Sequence, residues 1–149
     1  MSAKRTERTL LIGIGNDTRG DDGLGWRFVE RLASHYPHFD MVQRYQLQVE
    51  DAELISGYEQ VIFVDAAEVS TTPDFIWRVC EPVSATSFST HRIDPEMVMY
   101  LAHEIFGSEV KGSVLAIGGN RWDIHQGLSP TAEENLNKAA ASFRQVIAS

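Results

Sequence analysis

At 149 residues the chain is long enough for one domain, 1–149, with a substantial hydrophobic core. Its net charge of −8 argues against nucleic acid and anionic membrane as partners, and its 43% hydrophobic content is that of an ordinary soluble protein. A lone cysteine, Cys80, excludes an internal disulfide and a cysteine-rich metal centre.

Met1–Arg8 is charged, and the apolar run after it is too short and glycine-broken to target or span a membrane, so the expected location is cytoplasmic. Leu10–Ile14 then reads as a buried strand. It breaks at Gly15-Asn16 and passes through a polar loop to Asp21-Asp22-Gly23. From Gly23 to about Tyr36 the spacing of Leu24, Phe28, Val29 and Leu32 predicts a helix that Pro37 ends. Met41–Leu47 alternates as a second strand, and Asp51–Ser56 is a short helix closing near Gly57. Gln60–Val64 is a continuous apolar strand ending on Asp65, and Phe75–Cys80 is a strand near an edge. Asp94-Pro95 opens a helix with a cap and a first-position proline, and Met97, Val98, Leu101 and Ile105 form its apolar stripe. Ser113–Ile117 is the last strand. Ser129-Pro130 opens the last helix, with Leu136, Ala140, Phe143 and Ile147 on its buried side.

This alternation predicts an α/β fold in three layers, a mostly parallel twisted sheet of about five strands with helices on both faces. Sites in such sheets lie at the carboxyl ends of the strands. Three residues fall there: Asp22 after the first strand, Asp65 at the end of Val61–Val64, and His91 in the polar loop before Asp94. Two carboxylates and an imidazole suit a borderline divalent ion such as nickel or zinc, with positions left open for water or a substrate atom. Plainer roles exist for each. Asp22, or equally Asp21, would cap the first helix; Asp65 would serve a turn; His91 would sit in solvent.

Other chemistries fit less well. Gly13 and Gly15 begin a dinucleotide fingerprint, but its third glycine falls on Thr18, and Asp21 and Asp22 would repel a pyrophosphate. There is no G-x-S-x-G elbow, and His103-Glu104 meets Gly107 where a zinc helix needs histidine. His103 is then expected on a helix surface, His35 and His38 in solvent, Cys80 as a structural residue, and Trp26, Trp77 and Trp122 as core or groove residues.

The segment Gly15-Asn16, a four-residue loop, then Asp21-Asp22-Gly23-Leu24-Gly25 resembles the opening motif of the [NiFe]-hydrogenase maturation endopeptidases. Val61-Ile62-Phe63-Val64-Asp65-Ala66, Ser89-Thr90-His91-Arg92 and, after His125, Gly127-Leu128-Ser129-Pro130 match further motifs of that family in order, from about Leu10 to Ile147. The resemblance implies a peptidase that removes the C-terminal extension from the precursor of a [NiFe]-hydrogenase large subunit after nickel insertion. It implies Asp22, Asp65 and His91 as both the catalytic and the metal-binding residues, with nickel carried by the precursor. Asp21 is the spare carboxylate for a general-base role, or a cap. Where many members have a Gly-Gly-Thr turn, this chain has Gln46-Leu47 followed by Glu50, a form similar to the subgroup serving soluble cytoplasmic hydrogenases. A monomer is expected. The alternative is a non-catalytic nickel-binding maturation chaperone on the same scaffold.

Overall fold

The computed structural model describes residues 8–84 and 93–148. In chain order these form β1 (Thr9–Ile14), a 3-10 turn (Gly20–Gly23), α1 (Leu24–Ala33), β2 (Asp40–Arg44), α2 (Glu50–Ser56), β3 (Gln60–Glu68), β4 (Phe75–Cys80), α3 (Pro95–Phe106), β5 (Lys111–Gly119) and α4 (Pro130–Ala148). The strands join in one sheet of order β2-β1-β3-β5-β4. β2, β1, β3 and β5 are parallel, and only β4, at an edge, runs antiparallel, as the alternation of strands and helices predicts.

The pleat divides the core into two layers. Leu10, Ile12, Val61, Phe63 and Val114 face α2 and α3, where Ile55, Val98, Met99 and Ala102 meet them. Leu11, Ile62, Val64, Leu115 and Ile117 face α1 and α4. On that second face Phe143 packs edge-on against Phe28 and Tyr36, with ring centroids 5.8 and 5.1 Å away. Parallel strands covered on both faces explain why β1 and β3 read as unbroken apolar runs.

Several boundaries differ from expectation. α1 ends at Ala33, because His35 and Tyr36 fold back to bond the Leu32 carbonyl at 3.0 and 2.9 Å. β3 does not stop at Val64. It runs to Glu68, paired residue for residue with β5 up to Gly119. In α3 the buried residues are Val98, Met99 and Ala102, while Ile105 is 62% exposed. The stripe is rotated because Met99 sits over Gly112, where a Cβ would lie 2.7 Å from its sulfur. In α4 the buried line is Ala132, Leu136, Ala139 and Phe143, and Ile147 lies beyond the packed cluster. Among the described residues no helix is long and apolar enough to cross a membrane.

Candidate functional site

The carboxyl edge of β1 and β3 is built around glycines. Gly15 ends β1 with φ +143°, and a Cβ there would lie 1.9 Å from the Asp22 carbonyl oxygen. Only glycine lets the chain turn there with Asp22 folded directly above it. Asn16 continues the turn. Its backbone N–H donates to that same carbonyl at 3.1 Å, and its Oδ1 accepts from the Thr18 N–H at 3.0 Å and the Thr18 hydroxyl at 2.6 Å. Gly25 then brings α1 against the sheet. A Cβ on Gly25 would meet the carbonyl oxygens of Val64 and Ile14 at 2.4 and 2.6 Å. The start of α1 therefore lands between the ends of β1 and β3, and the Asp-Asp-Gly-x-Gly spacing is a packing requirement.

Asp22 is half-buried in the 3-10 turn, just before α1. Asp65 is also half-buried, on β3 opposite Ala116 of β5, one residue past the last β1–β3 pair, Gly13 with Val64. It therefore lies within a strand, not in a turn after one. The ladder with β1 has ended there, so Asp65 still stands at the carboxyl edge of that strand pair, one step past Gly13 and Val64. Its Oδ1 accepts the Ala66 N–H at 2.8 Å. The third expected residue, His91, lies outside the described residues. Among the described residues no group of three His, Cys, Asp or Glu side chains is arranged to hold a metal. The two carboxylates thus share one edge. As oxygen donors alone they would need a nitrogen ligand beside them to suit nickel or zinc.

The acidic pair has two unlike members. Asp21 is fully buried, with Oδ1 accepting the Ser129 N–H at 2.8 Å. Its Oδ2 accepts the N–H groups of Asn120 and Arg121 at 2.8 and 2.9 Å and the Ser129 hydroxyl at 2.7 Å. The Ser129 Oγ in turn accepts the Ala132 N–H at 3.1 Å, which caps α4. Four donors fill the lone-pair sites of an ionised carboxylate. Asp21 is therefore neither a cap of α1 nor a base with room for a substrate proton. It is the buried tie between the β1 loop, the end of β5 and the start of α4. Gly119 makes the tie possible, since a Cβ there would lie 2.6 Å from the Asp21 Cβ.

The loops after β1 and β5 are zipped above this tie. Gly20 N–H donates to the His125 carbonyl at 2.9 Å, His125 N–H to the Thr18 carbonyl at 3.0 Å, and Asp21 N–H to the Arg121 carbonyl at 2.7 Å. Trp122 Nε1 donates to Glu68 at 2.6 Å, and Trp26 Nε1 to the Arg44 carbonyl at 3.0 Å, so both are rim residues. Trp77 instead lies against α4, donating to Ser142 at 2.9 Å. His103 is half-buried, not on the surface, with Nε2 donating to the Val110 carbonyl at 3.1 Å. His35 and His38 are exposed.

Cys80 lies at the opposite edge of the sheet, paired with Gly112 near the start of β5. Burial, reinforced by Glu96, pushes its thiol up from an ordinary 9.0 to about 12. Such a thiol is a packing residue, not a nucleophile. A raised acid pKa favours the folded state below pH 9. Above that the unfolded chain loses a proton that the native state keeps. Between pH 9 and about 12 the native state should lose stability steadily through this group. Urea melts of wild type and Cys80→Ala should diverge progressively across that range; parallel curves would show that the thiol is not shifted.

No family model matches the chain, and no curated protein sequence matches it. Solved structures do. The [NiFe] hydrogenase maturation protease HycI from Thermococcus kodakarensis superposes with a TM-score of 0.70 at 22% identity, over 96% of this chain and 94% of that one. A hydrogenase 2 maturation peptidase from a Thaumarchaeota archaeon gives 0.69 at 21% identity, over 95% and 99%. The hydrogenase maturating endopeptidase HybD from E. coli gives 0.66 at 19% identity, over 93% of each chain. From end to end, this chain has the α/β fold of the solved hydrogenase maturation proteases.

Proposed function

We propose that the protein is an endopeptidase that removes the C-terminal extension of a [NiFe]-hydrogenase large-subunit precursor once nickel has been inserted. The single observation that carries the reading is the placement of Asp22 and Asp65 at one carboxyl edge, in a fold shared over nearly its whole length with hydrogenase maturation proteases. Asp22, Asp65 and His91 recognise the nickel that the precursor carries, and two oxygens and one nitrogen leave positions for the precursor's own ligands. A divalent ion held by these residues would supply Lewis-acid polarisation for the hydrolysis. Because Asp21 has its acceptor sites filled, any general-base role falls to Asp22 or Asp65. Tyr45 and Ile124, 70% and 80% exposed on the loops after β2 and β5, suit a polypeptide substrate better than a small solute.

The test compares one purified precursor with and without nickel, at fixed salt and neutral pH, by intact mass. The nickel-loaded form should lose its extension, and the metal-free form and the isolated C-terminal peptide should stay whole. Equal cleavage of both forms would reject nickel sensing. Nickel-dependent binding without any mass loss would point to the non-catalytic chaperone.

A further inference from the structure

Arginine in this chain is normally paired. Arg8 stands against Asp40, Arg27 against Glu30, Arg31 against Glu133, Arg44 against Asp51 and Arg78 against Glu96. Arg19 and Arg121 break the pattern. Among the described residues no carboxylate lies within ion-pair distance of either, in a chain with 21 acidic and 13 basic residues. Asp17 and Asp123 sit in the same two loops and form no such pair. The only other such arginine in the described part, Arg144, is exposed on α4.

The two are also held together. The backbone zip sets Arg19 opposite His125 as a parallel bridge, and fixes Arg121 through its carbonyl and its N–H to Asp21. The Arg121 Nη1 lies 2.9 Å from the His125 Nε2. A guanidinium only donates, so in this contact the imidazole nitrogen accepts. Two arginines are thereby anchored by backbone bonds in adjoining loops, one of them against the imidazole, with no carboxylate of the described residues in ion-pair distance of either. The seam adjoins the candidate site, because Asp22 N–H donates to the Arg19 carbonyl at 3.1 Å.

We propose that Arg19, Arg121 and His125 form a carboxylate-binding subsite that positions the precursor's polypeptide beside Asp22. This rests on the endopeptidase reading above and adds what that reading lacks, a polar determinant for the segment being cut. The group it takes is either an acidic side chain or the terminal carboxylate of the extension. Arginine binds either in a forked, charge-assisted geometry. The overall charge of −8 should repel an acidic peptide, so attraction must come from a local cluster within about a Debye length of roughly 8 Å.

The experiment measures steady-state cleavage of nickel-loaded precursor by wild type, Arg19→Glu, Arg121→Glu and the control Arg144→Glu, at low and high salt. Because Arg121 is half-buried, Arg121→Gln accompanies its reversal, and melting temperatures confirm folding. The seam variants should raise KM about tenfold with kcat nearly kept, and should flatten its salt dependence, while the control behaves as wild type. Amidating the precursor's terminus, or changing its extension's acids to amides, should reproduce the loss in one case and not the other, which identifies the carboxylate. An unchanged KM in both Arg19→Glu and Arg121→Glu overturns the subsite. Binding of a labelled hexaglutamate peptide is measured in parallel. If wild type cleaves no precursor, the endopeptidase reading fails, and the peptide alone decides. Binding lost on Arg121→Glu keeps the subsite, and absent or unaffected binding removes it.

Discussion

Asp22→Asn and His91→Ala are each expected to abolish processing of a nickel-loaded precursor, lowering the rate about 100-fold or more. Removing even an outer-shell partner of a metal site commonly costs 10- to 100-fold, and removing a ligand should cost no less. Asp65→Asn belongs to the same class. For Asp22 the stability change should stay within about 1 kcal/mol. Its backbone carbonyl, not its side chain, anchors the Asn16 turn, so the amide leaves the loop's scaffold in place. Mass spectrometry of the precursor and urea melts of each variant provide the two readouts. His91→Ala cleaving at the wild-type rate would remove that residue from the site. A large drop in stability for Asp22→Asn would make it a structural group instead.

What the sequence reveals of this protein is what local physics controls. Leu10–Ile14 and Gln60–Val64 read as strands because both their faces are buried, and α3 and α4 declare their starts through a cap and a proline. Asp94 accepts the Met97 N–H at 2.9 Å, and Ser129 accepts that of Ala132. The far half of β3 is not legible. Ala66, Ala67 and Glu68 carry no strand pattern, and they are extended because Ile117, Gly118 and Gly119 of β5 supply their pairing. The site divides in the same way. Asp22 and Asp65 could be picked out as acids at strand ends. The different duties of Asp21 and Asp22 could not, since three of the four donors that occupy Asp21 come from backbone N–H groups about 100 residues away. Arg19 and Arg121 escaped notice for the same reason. Nothing near either in sequence indicates that a zipped pair of loops leaves both without a carboxylate.

Asp21→Ala should unfold the protein most readily of any change at this edge, with a loss of about 3 to 5 kcal/mol. It takes from the N–H groups of Asn120, Arg121 and Ser129 the carboxylate that accepts them, and frees the Ser129 hydroxyl that caps α4. Asp21→Asn should cost less, about 1 to 3 kcal/mol. The amide can keep its oxygen at the Oδ2 position, where three donors converge, and turn its nitrogen toward the Ser129 N–H, so one donor is lost instead of four. Chemical denaturation of the two variants checks this order directly. Cleavage checks the role. If Asp21 only ties loops together, Asp21→Asn melts early yet still processes precursor at temperatures where it is folded, the reverse of Asp22→Asn. If Asp21→Asn were as stable as wild type and catalytically dead, the buried carboxylate would be the base after all, and its four hydrogen bonds would have to rearrange when the precursor binds.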